Sequence, residues 1–194
     1  MTATYRELSE KDIQKCVDLW TKRMAEGYQD SLLLINAAKE TNGYSGYVGE
    51  DEGEVLGFSA GYIGEFANSI DIPYAEVESN CELKPAQKVG YIAIVCVVEG
   101  YENQGIGTKL CSRMATDLEQ KGFSLITQVW HRDGVDGGDV VRKIGFEPVI
   151  SLSDYWRYTT STCEPCPECG MSPCECRGTL FLKTNKRGNK NEKT

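Results

Sequence analysis

Ile92-Ala93-Ile94-Val95-Cys96-Val97-Val98 is followed, across a short polar stretch, by Gly105-Ile106-Gly107. The unbroken apolar run predicts a strand buried on both faces, within a longer strand over 89–98. After the glycines, Ile106, Leu110, Met114 and Leu118 fall on one helical stripe, and Gly122 closes it. A helix that starts on glycines presents unpaired backbone N–H groups and the positive end of its dipole to an approaching anion. The same glycines also simply let a strand turn into a helix. Taken alone, the turn leaves both readings open.

Downstream, 123–130 reads as a second buried strand. A glycine-rich acidic turn over 133–138 leads to a short helix ending at Gly145-Phe146, and strands are expected over 149–159 and 178–182. Upstream, 4–8 reads as a short strand. Ser9 caps a helix with an acid three residues on, and Ile13, Cys16, Val17, Trp20 and Met24 line its apolar face. A second helix, capped by Asp30 or Ser31, runs to Ala38 and stops by Asn42-Gly43. Tyr47-Val48, the turn Asp51-Glu52-Gly53 and a strand over 55–63 make a hairpin. Residues 66–88 form a long polar connection with Pro73 and Pro85, of the kind that is functional or mobile.

The 194 residues suit one domain with a small appendage. No run approaches the ~20 apolar residues of a membrane span. The N-terminus shows no basic segment followed by an apolar one, so no secretion signal is expected. The net charge of −8 is uneven: residues 1–162 carry 15 Lys/Arg against 25 Asp/Glu, and 163–194 carry 6 against 4. An acidic body disfavours nucleic acid as a partner and tolerates a cationic amine. Cys16, Cys81, Cys96 and Cys111 are scattered singly, which suits a reducing, cytoplasmic location.

The stretch Val95-Cys96-Val97-Val98-Glu99-Gly100-Tyr101-Glu102-Asn103-Gln104-Gly105-Ile106-Gly107-Thr108 resembles the acetyl-CoA signature of the GNAT superfamily, a strand running into [QR]-x-x-G-x-[GA] and a helix. Val140-Val141-Arg142-Lys143-Ile144-Gly145-Phe146-Glu147 resembles that superfamily's helix running into Gly-Phe. The order of elements agrees over 4–183. The resemblance implies an α/β (α+β) fold, with a GNAT-like central mixed sheet flanked by helices. It implies an acetyl-CoA-dependent N-acetyltransferase, acting on a small-molecule amine or on a protein or peptide amine. The cofactor pyrophosphate would lie on the backbone of Asn103, Gln104, Gly105, Ile106, Gly107 and Thr108. The pantetheine arm would run beside Val95, Cys96 and Val97, and an N–H near Val97 would steady the oxyanion.

Three positions depart from the pattern. Glu102 stands where Gln or Arg is usual. Tyr91 stands where some members place a glutamate base, and Val141 where many place a tyrosine acid. Tyr91 and Tyr155 are the catalytic candidates carried forward, with Glu65, His131 and a water relay as alternatives. A GNAT-like module that binds partners without catalysis is the competing function. No membrane partner is expected, and a homodimer is compatible with the sequence.

Cys163, Cys166, Cys169, Cys174 and Cys176 cluster within one short segment. Cys166-Pro167-Glu168-Cys169-Gly170 resembles the zinc knuckle of rubredoxins and zinc ribbons. Cys174 and Cys176 supply a second pair, making Cys166, Cys169, Cys174 and Cys176 a four-thiolate structural site for zinc, with iron or redox-active thiols as alternatives and Cys163 spare. This zinc loop lies between the last two strands. The domain expected is 1–184, including the zinc-binding loop 163–176, followed by a disordered basic tail over 185–194.

Overall fold

Apolar runs in the strands and a 3.6-residue period in the helices organise the chain. In the computed structural model, residues 3–24, 31–131, 137–157, 166 and 169–185 are described. Strands β1 (Thr4–Glu7), β2 (Ser45–Asp51), β3 (Glu54–Glu65), β4 (Lys88–Val97), β5 (Leu125–Trp130), β6 (Glu147–Leu152) and β7 (Gly178–Lys183) form one sheet. Their order is β1-β2-β3-β4-β5-β7-β6. The helices are α1 (Ile13–Met24), α2 (Ser31–Ala38), α3 (Ile106–Gln120) and α4 (Gly137–Lys143). This is an α/β fold whose cysteine cluster falls between β6 and β7. Among the described residues no helix is long and apolar enough to cross a membrane.

The chain divides into two compact units, Met1–Ile63 with Ile92–Leu118, and Gly64–Tyr91 with Glu119–Thr194. In the first unit, Cys16, Leu19, Leu33, Leu34 and Ala37 of the helices pack on Val48, Phe58, Ala60, Ile94 and Cys96. Glu52 and Gly53 take positive φ (50° and 86°), the pair of left-handed residues that a tight hairpin between β2 and β3 requires. At the entry to α1, Ser9 donates both its N–H (2.9 Å) and its hydroxyl (2.6 Å) to Asp12 Oδ2. Arg6 grips the same carboxylate at 2.7 and 2.8 Å and also reaches Glu50 at 2.7 Å.

The strand over the decisive apolar run is buried on one face only, a correction to the expectation. Ile92, Ile94 and Cys96 enter the core, while Val95 is 36 % exposed. The reason is the neighbour on the open face. A side chain on Gly107 would lie 3.5 Å from Val97 Cγ2 and 3.9 Å from Val95 Cγ1, but glycine supplies none. In α3 the expected stripe holds: Ile106, Leu110, Met114 and Leu118 are all buried.

In the second unit the 66–88 connection is no loose loop. It makes two short 3-10 turns (Phe66–Asn68 and Tyr74–Glu76). It buries Phe66, Ile72, Val77 and Leu83 with Ile126, Tyr155 and Leu180. Their irregular spacing hides them from a periodicity argument. β6 ends at Leu152 rather than 159, because the chain turns at 153–156 to send Tyr155 into the core at 0 % exposure. Residues 158–165 lie outside the described ones, and Cys163 with them. Of the expected tail, Asn185 is described, bonded to Ser124 Oγ and Glu119 O at 3.1 Å each. Residues 186–194 lie outside the described set.

Candidate functional site

The glycine turn is open where a phosphate would need it open. Gly105 has φ +81° and nothing within 4 Å of the place a Cβ would occupy. Asn103 shares the left-handed conformation at φ 60°. Lys109 N–H bonds to Gly105 O at 3.0 Å, which makes Gly105 the N-cap of α3. The N–H groups of Ile106, Gly107 and Thr108 then have no carbonyl within the helix to bond.

Glu102 stands where the signature usually has Gln or Arg, and a carboxylate facing a phosphate would repel it. Its carboxylate is folded back: Gly100 N–H donates to Oε2 at 2.6 Å, and Arg23 Nη2 lies 2.8 Å from Oε1. Burial raises the Glu102 carboxyl, but the backbone donors and Arg23 outweigh it and hold it low. The charge is thus paired at the base of the turn.

In the second unit, the side chains of Asp71, Tyr91 and Tyr155 meet at Gln128 on β5. Tyr155 OH donates to Gln128 Oε1 at 2.6 Å, and Asp71 N–H to the same oxygen at 2.8 Å. Gln128 Nε2 donates to Asp71 Oδ2 and to Tyr91 OH, each at 2.7 Å. Burial, with Tyr91 and Asp71 nearby, pushes the Tyr155 phenol far up, so it stays protonated. Burial also raises Asp71, against the hydrogen bond from Gln128. The structure therefore joins Tyr91 and Tyr155, the two candidates from the sequence, through residues that the sequence did not single out.

The four cysteine sulfurs lie within 4.8 Å of one another. Cys166 Sγ and Cys176 Sγ are 3.7 Å apart, Cys169 Sγ and Cys174 Sγ 3.9 Å. A disulfide needs about 2.0 Å. Four sulfurs placed tetrahedrally at a Zn–S bond of about 2.3 Å stand about 3.8 Å apart. The spacing and donor set fit a metal ion, and these residues could hold one. The knuckle closes through Gly170 N–H to Cys166 O (2.8 Å) and Cys166 N–H to Met171 O (3.0 Å), with Gly170 at φ +69°. Trp130 and Trp156 pack against the cluster. Burial raises Cys176, a hydrogen bond from the Trp130 side chain lowers it, and it settles at about 11. Cys169, raised by burial but lowered by backbone and thiol donors, settles at about 7.

The model of the acetyltransferase (GNAT) family matches residues 13–135. The chain belongs to the GNAT family. Solved structures share the fold of this GNAT chain at low identity. Arabidopsis thaliana NAA60 in complex with acetyl-CoA is 15% identical with a TM-score of 0.67, over 93% of this chain and 97% of that one. Arabidopsis thaliana Naa50 in complex with the bisubstrate analogue CoA-Ac-MVNAL is 14% identical at 0.62, over 95% and 99%. The ribosomal-protein-S18-alanine N-acetyltransferase from Escherichia coli is 12% identical at 0.61, over 94% and 93%. No curated protein matches the sequence.

The remaining GNAT landmarks have structural roles here. Gly145 at φ +93° and Phe146 return N–H groups to Arg142 O (3.0 Å) and Val141 O (3.1 Å), the bond pair of a helix-ending Schellman turn. Val141 itself is buried. His131 Nε2 lies 2.7 Å from Thr179 Oγ1, which lies 2.7 Å from Ser151 Oγ. This relay clips β5, β7 and β6 together. Glu65 accepts from Asn68 Nδ2 at 3.0 Å beside a 3-10 turn. Arg23, Asp71 and Gln128 escaped the sequence reading. The signal for Gln128 was a lone amide within the apolar run of β5.

Proposed function

We propose that this chain transfers the acetyl group of acetyl-CoA to the amine of a peptide or protein. The observation that carries the reading is the paired Glu102 beneath an open turn: the backbone of Asn103, Gln104, Gly105, Ile106, Gly107 and Thr108 is left to an anion. Beside it, Val95 offers exposed apolar surface, and Gly107 leaves room over Val97. In this reading the pyrophosphate rests on that backbone and the pantetheine arm runs along Val95, Cys96 and Val97. Cys96 contributes through its backbone, since its side chain is in the core. Likeness to Naa50 with CoA-Ac-MVNAL favours a peptide amine over a small-molecule amine as the acceptor class.

The amine nitrogen attacks the thioester carbonyl carbon, and the oxyanion is steadied by an N–H near Val97. The C–S bond breaks, the nitrogen loses a proton, and the CoA thiolate takes one up. Tyr91 is assigned to proton transfer. Tyr155 is wholly buried with its hydroxyl committed to Gln128, so its part is to position. Cys166, Cys169, Cys174 and Cys176 would hold one structural zinc ion, which would staple the loop between β6 and β7. A screen of peptides and small amines for CoA release, alongside calorimetry with acetyl-CoA, tests the reading. Acetyl-CoA binding and peptide-dependent CoA release are expected; an absence of both overturns it.

A further inference from the structure

Gln128 makes every hydrogen bond that a carboxamide can make. Two donors, Tyr155 OH and Asp71 N–H, use the oxygen, and two acceptors, Asp71 Oδ2 and Tyr91 OH, use the nitrogen. The orientation of the amide is not a free choice. Asp71 N–H can only donate, so the atom it meets must be the oxygen, and the nitrogen must face Tyr91 and the carboxylate. The partners lie 27, 37 and 57 positions away in sequence. One side chain thus ties β4, the 66–88 segment and the turn after β6 to a single point.

Packing alone does not call for such a residue. Leu125, Ile126 and Val129 on the same strand are buried apolar residues, and a leucine at 128 would give up no backbone hydrogen bond of its own. Three of the groups around the amide are themselves polar and at least partly buried, so each loses a hydrogen bond if the amide goes. We propose that Gln128 is the positioning residue of the acetyl transfer, fixing the Tyr91 hydroxyl against Asp71 and Tyr155. The inference rests on the assignment of Tyr91 to proton transfer. Gln128 donates to the Tyr91 oxygen and so sets where that hydroxyl stands without touching substrate.

A double-mutant cycle tests it, with acetyl-CoA and the peptide MVNAL as probes and CoA release as the readout. Gln128→Leu lowers kcat roughly a hundredfold, the scale of a misplaced reacting group. The KM for acetyl-CoA stays within twofold. Tyr91→Phe gives a loss of similar size. Gln128→Leu adds no further loss in the Tyr91→Phe background, because its effect passes through Tyr91. Losses that multiply across the two backgrounds would overturn the proposal, since they would mean that Gln128 only supports the fold. Full activity in Gln128→Leu would overturn it too. Gln128→Met keeps the length and removes both hydrogen-bonding groups, so it must lose as much as Gln128→Leu; activity near wild type in that variant also sinks the assignment. Wild-type activity in Tyr91→Phe removes the assignment of Tyr91 and the positioning role with it. A wild-type protein that neither binds acetyl-CoA nor releases CoA, with MVNAL or with water as acceptor, removes the acetyl-transfer reading itself.

Discussion

Arg23, on the last turn of α1, holds Glu102 at 2.8 Å, and Glu102 in turn holds Gly100 N–H at 2.6 Å. The carboxylate at the start of the glycine turn is therefore part of the turn's scaffold. Its partner side chains are about three-quarters buried, which spares the pair some solvent screening.

Replacing Arg23 with alanine leaves that carboxylate unpaired beside the proposed phosphate site. Acetyl-CoA affinity should fall roughly fivefold, about 1 kcal/mol, at low salt. The loss should shrink at high salt as the bare charge is screened. Adding Glu102→Gln to Arg23→Ala should restore affinity. Calorimetry at two ionic strengths checks both; an Arg23→Ala protein with wild-type affinity at low salt would count against any link between the pair and the cofactor.

Gly105→Val puts a branched side chain at φ +81°, in space that is otherwise empty. The strain should cost on the order of 1–2 kcal/mol of stability. The side chain would stand over the N–H groups of α3, so acetyl-CoA affinity should fall by more than tenfold. Thermal melting establishes that the variant is folded, and calorimetry then reads the loss.

The cysteine cluster should carry about one zinc ion per chain, as a closed four-thiolate site does. Elemental analysis and native mass spectrometry read the stoichiometry. Protons compete with metal for thiolates, so affinity should fall as pH falls. Cys169, already near 7, should give up its proton more readily than Cys174 or Cys176, both raised by burial. Stripping the metal should change tryptophan emission, because Trp130 and Trp156 pack against the sulfurs. An unchanged spectrum on chelation, with no zinc found before it, would refute the site.

Asp12 predicts a pH-dependent share of stability. Burial raises its carboxyl, but the hydrogen bonds from Arg6 and Ser9 win and hold it well below the usual carboxylate range. A group lowered on folding stabilises the protein above its unfolded value of about 3.9 and loses that contribution as pH falls through the lower folded value. Asp12→Asn should therefore cost about 2 kcal/mol at pH 7 and little in strong acid. Denaturant titrations at neutral and acid pH should show the two curves converging as pH falls.

The places of the strand, glycine turn and helix were legible because apolar runs and helical period are local signals, although the run overstated how much of the strand is buried. Ile106, Leu110, Met114 and Leu118 fell where the spacing placed them. The cysteine cluster was legible for a similar reason: its ligands are neighbours in sequence. The Gln128 junction was not. An amide inside Leu125-Ile126-Thr127-Gln128-Val129-Trp130 looks like an interruption until Asp71, Tyr91 and Tyr155 arrive from distant segments. The Arg23–Glu102 pair is hidden in the same way, since nothing local tells a surface arginine which carboxylate it will meet. β6 was overextended because Tyr155 and Trp156 look like strand residues, whereas a tertiary demand, the hydrogen bond from Tyr155 to Gln128, pulls them into a turn.

The ring of Tyr155 lies so close to Gly178 that a Cβ there would sit 2.5 Å from Tyr155 Cγ and 2.6 Å from its Cβ. Backbone-proximal atoms of an aromatic residue cannot swing aside as the tip of a lysine can. Any residue other than glycine at 178 must therefore displace the backbone of residue 155, because the Cβ that every residue but glycine carries is one of the two close atoms and trimming the ring leaves it in place. Glycine at 178 should thus outlast changes of side chain at 155 for as long as the turn after β6 keeps its path. In relatives of this chain, loss of that glycine should mark a re-routed turn, which makes position 178 a marker for tracing how far the Gln128 arrangement extends.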